Sequence, residues 1–245
     1  MTTTRLKTIG LIGGMSWEST ALYYQAINRE VARRLGGLHS ARMLIESLDF
    51  DAIAALQRAG DWPAMGAILA DSAARLEAAG ADCVLIGTNT MHKVAPAVSA
   101  RVRIPLLHIA DATGRAIRAR GLARVALLGT RFTMEQPFYA ERLAGHGIET
   151  RVPDEADRIE LHRMIFEELC RGRLLDASRQ RLLAIAAELA ARGAQGLVLG
   201  CTELPLLIGQ DDTPLPVFDT TALHALDAVA FALDGATEEH ASAAA

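Results

Sequence analysis

Two stretches of this chain read almost alike. Residues 81–90 are ADCVLIGTNT and residues 194–203 are AQGLVLGCTE. Each is an apolar run, a glycine, then a small polar cluster. Aligned, Gly87 meets Gly200 and Thr88 meets Cys201. Upstream lie residues 68–80 and 181–193, both rich in Ala and Leu at helical spacing. Both end in a glycine suited to a helix C-cap. A second pair matches in the same way: IGLIGG at 9–14 against VALLGT at 125–130, with Tyr23 and Tyr139 following at equal distances. A helix–Gly–strand–Gly–polar unit that occurs twice requires two similar α/β lobes, not a short-period solenoid.

The rest of the pattern agrees. Strands are expected near Thr8–Ile12, Met43–Ser47, Cys83–Ile86, Arg124–Leu128 and Leu197–Leu199. Helices are expected near Ser19–Leu35, Asp51–Gln57, Trp62–Ala79, Ala112–Ala119, Pro137–His146, Glu160–Gly172, Ala177–Arg192 and Ala222–Leu233. Continuous Val/Ile/Leu strands between amphipathic helices imply α/β architecture with parallel sheets covered on both faces. The expected division is an N-terminal lobe of 1–107 plus 215–245 and a C-terminal lobe of 108–214. The tail, DGATEEHASAAA, is small and polar and is expected to fray.

Composition narrows the function classes. The net charge of −4 speaks against nucleic acid, which asks for a basic face. No apolar run approaches a membrane span, and the glycine-broken start, MTTTRLKTIGLIGGM, reads as a first buried strand rather than a signal peptide. Three widely spaced cysteines give neither a disulfide framework nor a zinc pattern, so a reducing cytoplasm is the expected compartment.

In parallel α/β folds ligands bind beyond the carboxyl ends of the strands. Gly13-Gly14, Thr88, Thr130 and Cys201 all follow strands and belong on that edge. Cys201 opens a turn, where backbone N–H groups can hold a thiolate; its place in the repeat favours chemistry over plain packing. Thr88-Asn89-Thr90 sets three hydrogen-bonding side chains in a row, suited to an anion or an amide, or to a helix cap. Thr202 would do similar work. Gly10-Leu11-Ile12-Gly13-Gly14-Met15-Ser16 lacks the spacing of a nucleotide loop. There Ser16 either caps the following helix, whose N-terminus suits a carboxylate, or marks a tight turn. Cys83 and Cys170 read as packing residues. His92, His108, His162 and His224 have no metal-ligand spacing. His162 and Arg163 reach the site from a helix or serve packing and solvation. Asp219 caps a helix or orients a ligand.

GLIGGMSWEST, TNTMHK, LLGTRFTME and GCTELPLL, in this order, resemble the aspartate/glutamate racemase family over nearly the whole chain. The resemblance implies two pseudo-symmetric lobes with the active site between them, no cofactor, a small amino-acid substrate and a homodimer. In the family pattern two cysteines face opposite sides of the substrate α-carbon; one takes the proton and the other delivers a new one. Here Thr88 stands at the first cysteine position and Cys201 keeps the second. Glu203 follows Cys201-Thr202, as in the aspartate branch. The resemblance thus implies a PLP-independent racemase of aspartate and/or glutamate, biased to the L-enantiomer, with Cys201 as base and Thr88 opposite. Carried over by motif, Met15, Ser16, Asn89, Thr90, Thr130 and Thr202 hold the α-carboxylate and ammonium. Gln57 and the Glu160–Arg163 helix, His162 included, recognise the side chain. Two other classes remain open: a ligand-binding protein with a degenerate site, and a one-cysteine decarboxylase or isomerase of small diacids.

Overall fold

The computed structural model describes residues 6–234, so most of the tail expected to fray lies outside the described residues. The chain divides into two compact units. Of the described residues, one comprises those up to Gly87, Val94–Leu107 and residues 224–234; the other comprises Thr88–Lys93 and His108–Leu223.

The first unit contains β1 (Ile9–Gly13), α1 (Trp17–Leu35), β2 (Met43–Ser47), α2 (Phe50–Ala59), α3 (Trp62–Ala78), β3 (Cys83–Ile86) and α4 (Ala95–Arg101). Its sheet has the order β2-β1-β3, all parallel, with Ile9 opposite both Met43 and Cys83. β1 and β3 are buried along their whole length. That is why they read as unbroken apolar runs rather than alternating ones. Ile9, Leu11, Cys83 and Leu85 pack against Tyr23, Ile27 and Val31 of α1, so Cys83 is a core residue. The turn out of β1 is tight. Gly14 has φ +82°, and a Cβ there would stand 2.1 Å from the Leu48 carbonyl oxygen. Gly14→Ala is therefore expected to cost at least about 2 kcal/mol. Thermal unfolding checks this; an unchanged midpoint would mean that the Leu48 backbone gives way.

The second unit contains α5 (Ile109–Ala119), β4 (Arg124–Gly129), α6 (Arg131–Glu135), α7 (Pro137–Gly145), β5 (Glu149–Arg151), α8 (Glu155–Arg163), α9 (Asp176–Ala191), β6 (Leu197–Gly200) and β7 (Val217–Asp219). After β7 comes α10 (Thr220–Leu233), whose later residues belong to the first unit. The sheet order is β5-β4-β6-β7, again all parallel. Side chains alternate across it as strand geometry demands. Ala126, Leu128, Leu197 and Leu199 meet Leu161, Leu182, Ile185 and Leu189 on one face. Val125, Leu127 and Val198 meet Ile109, Ile117, Tyr139 and Leu143 on the other. Each fully buried Leu or Ile of this kind contributes roughly 1.5–3 kcal/mol.

The fold is thus α/β with two parallel sheets flanked by helices. Local differences from expectation are instructive. β5 and β7, of three residues each, are too short to show a period. The single helix expected at Glu160–Gly172 is α8, which begins earlier, then a π-helical stretch at Met164–Glu168 and a 3₁₀ turn at Leu169–Arg171.

Candidate active site

The carboxyl ends of β4, β6 and β7 carry Thr130, Cys201 and Thr220. Gly129 and Gly200 are paired in register just before the first two. A Cβ on Gly129 would stand 2.7 Å from the Gly200 carbonyl oxygen, so this close approach requires glycine.

Cys201 is buried, 7% exposed, and packs with Leu199 and Leu204. Its Sγ donates to Glu203 Oε2 at 3.0 Å, and Thr202 Oγ1 donates to the same oxygen at 2.7 Å. Burial pushes the Cys201 thiol well above its ordinary pKa, and the Glu203 charge pushes it the same way. The Glu203 backbone N–H pulls it down, with less effect. The expected thiolate-stabilising N–H is therefore present, but the resting group is a thiol hydrogen-bonded to a carboxylate. Charge repulsion and loss of hydration outweigh one N–H dipole.

Thr90, Thr130 and Thr133 form a triad of buried hydroxyls. Thr90 Oγ1 lies 3.0 Å from Thr130 Oγ1 and 3.3 Å from Thr133 Oγ1, and the last two are 3.2 Å apart. Thr130 also caps α6, accepting from the Thr133 N–H. Thr133 is a residue the sequence reading missed; its signal was the i, i+3 cap spacing in GTRFT. Asn89 Nδ2 donates to Thr220 Oγ1 at 3.0 Å, and that hydroxyl donates to the Leu199 carbonyl at 2.9 Å. Asn89 is thereby chained to the strand that delivers Cys201. Asn89 is 2% exposed, and its Oδ1 is buried with no hydrogen-bond partner among the described residues. A buried acceptor left unmade costs free energy that a donor from a ligand would return. Thr88 is half-buried, unlike the residues on either side of it.

Other expected residues have defined places. Met15, Ser16 and Gln57 are buried in the first unit. There Ser16 caps α1, accepting from the Ser19 N–H. His162, half-buried on α8, lines a cleft of about 230 Å³ with Arg131, Phe132, Glu135 and Gln136. Its Nδ1 accepts from the Arg131 N–H at 3.4 Å, and burial, then the Arg131 charge, lowers its pKa. Arg163 is engaged by Glu160 and Glu168. Asp219 caps α10, accepting from the Thr221 and Ala222 N–H groups, and burial raises its pKa. Cys170 is half-buried against the cluster that holds Cys201. Among the described residues no group of three or more His, Cys, Asp or Glu side chains could hold a metal, and no helix is long and apolar enough to cross a membrane.

The chain matches known proteins over most of its length. Residues 12–228 match the profile of a family described as Asp/Glu/hydantoin racemase. The chain is similar to a Yersinia pestis crystal structure described as a candidate Asp/Glu racemase: 50% identity, TM-score 0.87, covering 93% of this chain and 99% of that one. It is also similar to an aspartate racemase homologue from Pyrococcus horikoshii OT3, with 36% identity, TM-score 0.80, and 92% and 99% coverage. A curated relative, the broad specificity amino-acid racemase of Bacillus subtilis, is 23% identical over 225 residues, 87% of this chain and 93% of that protein.

Proposed function

The chain belongs to the Asp/Glu/hydantoin racemase family, and on that premise we propose that it is a cofactor-independent amino-acid racemase acting on aspartate and/or glutamate, biased toward the L-enantiomer. The observation that carries this reading is the buried Cys201 thiol donating to Glu203 at the carboxyl end of β6.

The α-hydrogen of an amino acid is a very weak acid, so the site must supply both a base and stabilisation of the developing negative charge. Cys201 is the L-side base. Its proton passes along the 3.0 Å contact to Glu203, and the thiolate so formed takes the α-proton. The thiolate is desolvated, which makes it a stronger base toward the α-proton than a hydrated thiolate would be. Hydroxyls and backbone N–H groups around the carboxylate stabilise the carbanion, and fixed donors in a dry site are worth more than in water. Thr90, Thr130 and Thr202 supply hydroxyls for this task. Asn89 Oδ1, a buried acceptor with no partner among the described residues, suits the substrate ammonium.

Racemisation needs a proton from the opposite face. We assign this to the Thr88 hydroxyl, or to a water it holds, which is then reprotonated from solvent. A hydroxyl is far less acidic than a thiol, so inversion is slower than removal and return of the proton at Cys201. L-Substrate then exchanges its α-proton readily and D-substrate poorly. Proton NMR of L- and D-aspartate and glutamate in D2O, with chiral analysis, tests the reading: loss of the L α-proton signal with some D-product is expected. Absence of exchange with all four would end it. Thr88→Cys is expected to raise D-side exchange about tenfold or more. An unchanged D-side rate would remove Thr88 from the opposite face.

A further inference from the structure

His92 has no part in the chemistry above, yet it is 2% exposed and bonded through both ring nitrogens. Nδ1 lies 2.8 Å from the Thr88 carbonyl oxygen. The Ile109 backbone N–H donates to Nε2 at 3.2 Å. Because Nε2 accepts, it carries no hydrogen; because a carbonyl can only accept, Nδ1 must carry one. The two contacts together select the neutral Nδ1–H tautomer. The ring also lies against His108, the residue that caps α5, with centroids 4.5 Å apart. Ile109 is the first residue of α5. One imidazole thus bridges the backbone of Thr88 and the first turn of a helix whose Ile109, Ala110 and Ile117 are locked in the core.

We infer that His92 is a positioning residue: it fixes the Thr88 main chain through Nδ1–H and so sets where the Thr88 hydroxyl can deliver a proton. The inference rests on the racemase reading and adds a residue to it. The backbone at Thr88 stands between β3 and a 3₁₀ turn that begins at Thr90, where the ladder no longer holds it. Side-chain chemistry at a loop position is only as well aimed as the backbone beneath it. The bond to the Thr88 carbonyl supplies that aim, and the bond from Ile109 fixes which ring nitrogen carries the hydrogen.

Two isosteric substitutions separate the two bonds. His92→Asn places an amide N–H near the Nδ1 position and drops the link to Ile109. His92→Gln places an amide oxygen near the Nε2 position and drops the link to Thr88. In D2O the L-substrate partitions between exchange with retention, through Cys201 alone, and inversion, through Thr88. His92→Gln is expected to lower inversion about tenfold or more while retention exchange stays within about twofold of wild type. His92→Asn is expected to keep the wild-type partition within about threefold. A purely structural role would lower both processes together or leave the partition untouched, and either result overturns the inference. So does a His92→Asn variant that loses inversion as His92→Gln does. Nitrogen NMR of the histidine-labelled wild-type protein gives a second readout that needs no turnover. It is expected to show His92 as the neutral Nδ1–H tautomer near neutral pH; the Nε2–H tautomer or an imidazolium overturns the inference. A wild-type protein that exchanges no substrate but shows the Nδ1–H tautomer would sink the racemase reading and leave the bridge to Thr88 standing.

Discussion

Cys201→Ala is expected to abolish α-proton exchange from L-aspartate and L-glutamate, by at least about 10³-fold. The reason is the shortage of bases at that strand end. Thr202 and Thr220 carry hydroxyls, far too weakly acidic to ionise near neutral pH. Glu203 is a carboxylate, a far weaker base than a thiolate, and its Oε2 still accepts from Thr202 in the alanine variant. The alanine variant leaves a small void beside Leu199 and Leu204, worth about 1 kcal/mol, so a melting curve separates lost chemistry from lost fold. Cys201→Ser is the sharper control. It keeps a donor to Glu203 and nearly the same volume, but its hydroxyl gives up a proton far less readily than a thiol. Exchange of L-substrate should fall almost as far as in the alanine variant. Should the serine variant keep wild-type exchange, the thiol is not the base.

The duplicated pattern made the architecture readable because it lies in strands buried on both faces. β3 (CVLI) runs straight into Gly87 and β6 (LVLG) ends at Gly200, and no charged residue interrupts either. β5 and β7 carry no such signal. Among the described residues β7 pairs only with β6, and it begins straight after Pro216, so its identity comes from the partner strand rather than from its own sequence. At the site, the residue types were legible and the protonation states were not. Glu203 stands two positions from Cys201, but adjacency does not say that the carboxylate turns back onto the sulfur. That contact makes the resting group a thiol, where a turn rich in N–H groups suggested a thiolate. Thr90 gave no hint of its partners either. It lies 40 residues from Thr130, and only tertiary packing joins the two hydroxyls. His92 has no metal-ligand spacing, and a bridge between two backbone groups leaves no spacing in the sequence to find.

Glu203→Gln carries the second large effect, and its two readouts move in opposite directions. The Cys201 thiol is raised first by burial and then by the negative charge of Glu203. Glutamine removes the charge and leaves the burial. The thiol therefore becomes easier to ionise than in wild type, while staying above its ordinary value. Alkylation of Cys201 by iodoacetamide at mildly alkaline pH should accordingly quicken. Catalysis should do the reverse. The glutamine oxygen still accepts from Sγ, so geometry is kept, but it cannot carry a proton away as a carboxylate does. Exchange of L-substrate near neutral pH is expected to fall about 10²-fold. What remains should climb with pH, because hydroxide must now generate the thiolate, whereas the wild-type site does so through Glu203. Faster alkylation with slower exchange would identify Glu203 as the group that takes the thiol proton. Faster alkylation with exchange unchanged would reduce Glu203 to a charge that merely tunes the sulfur, and the proton would have to leave Cys201 by another route.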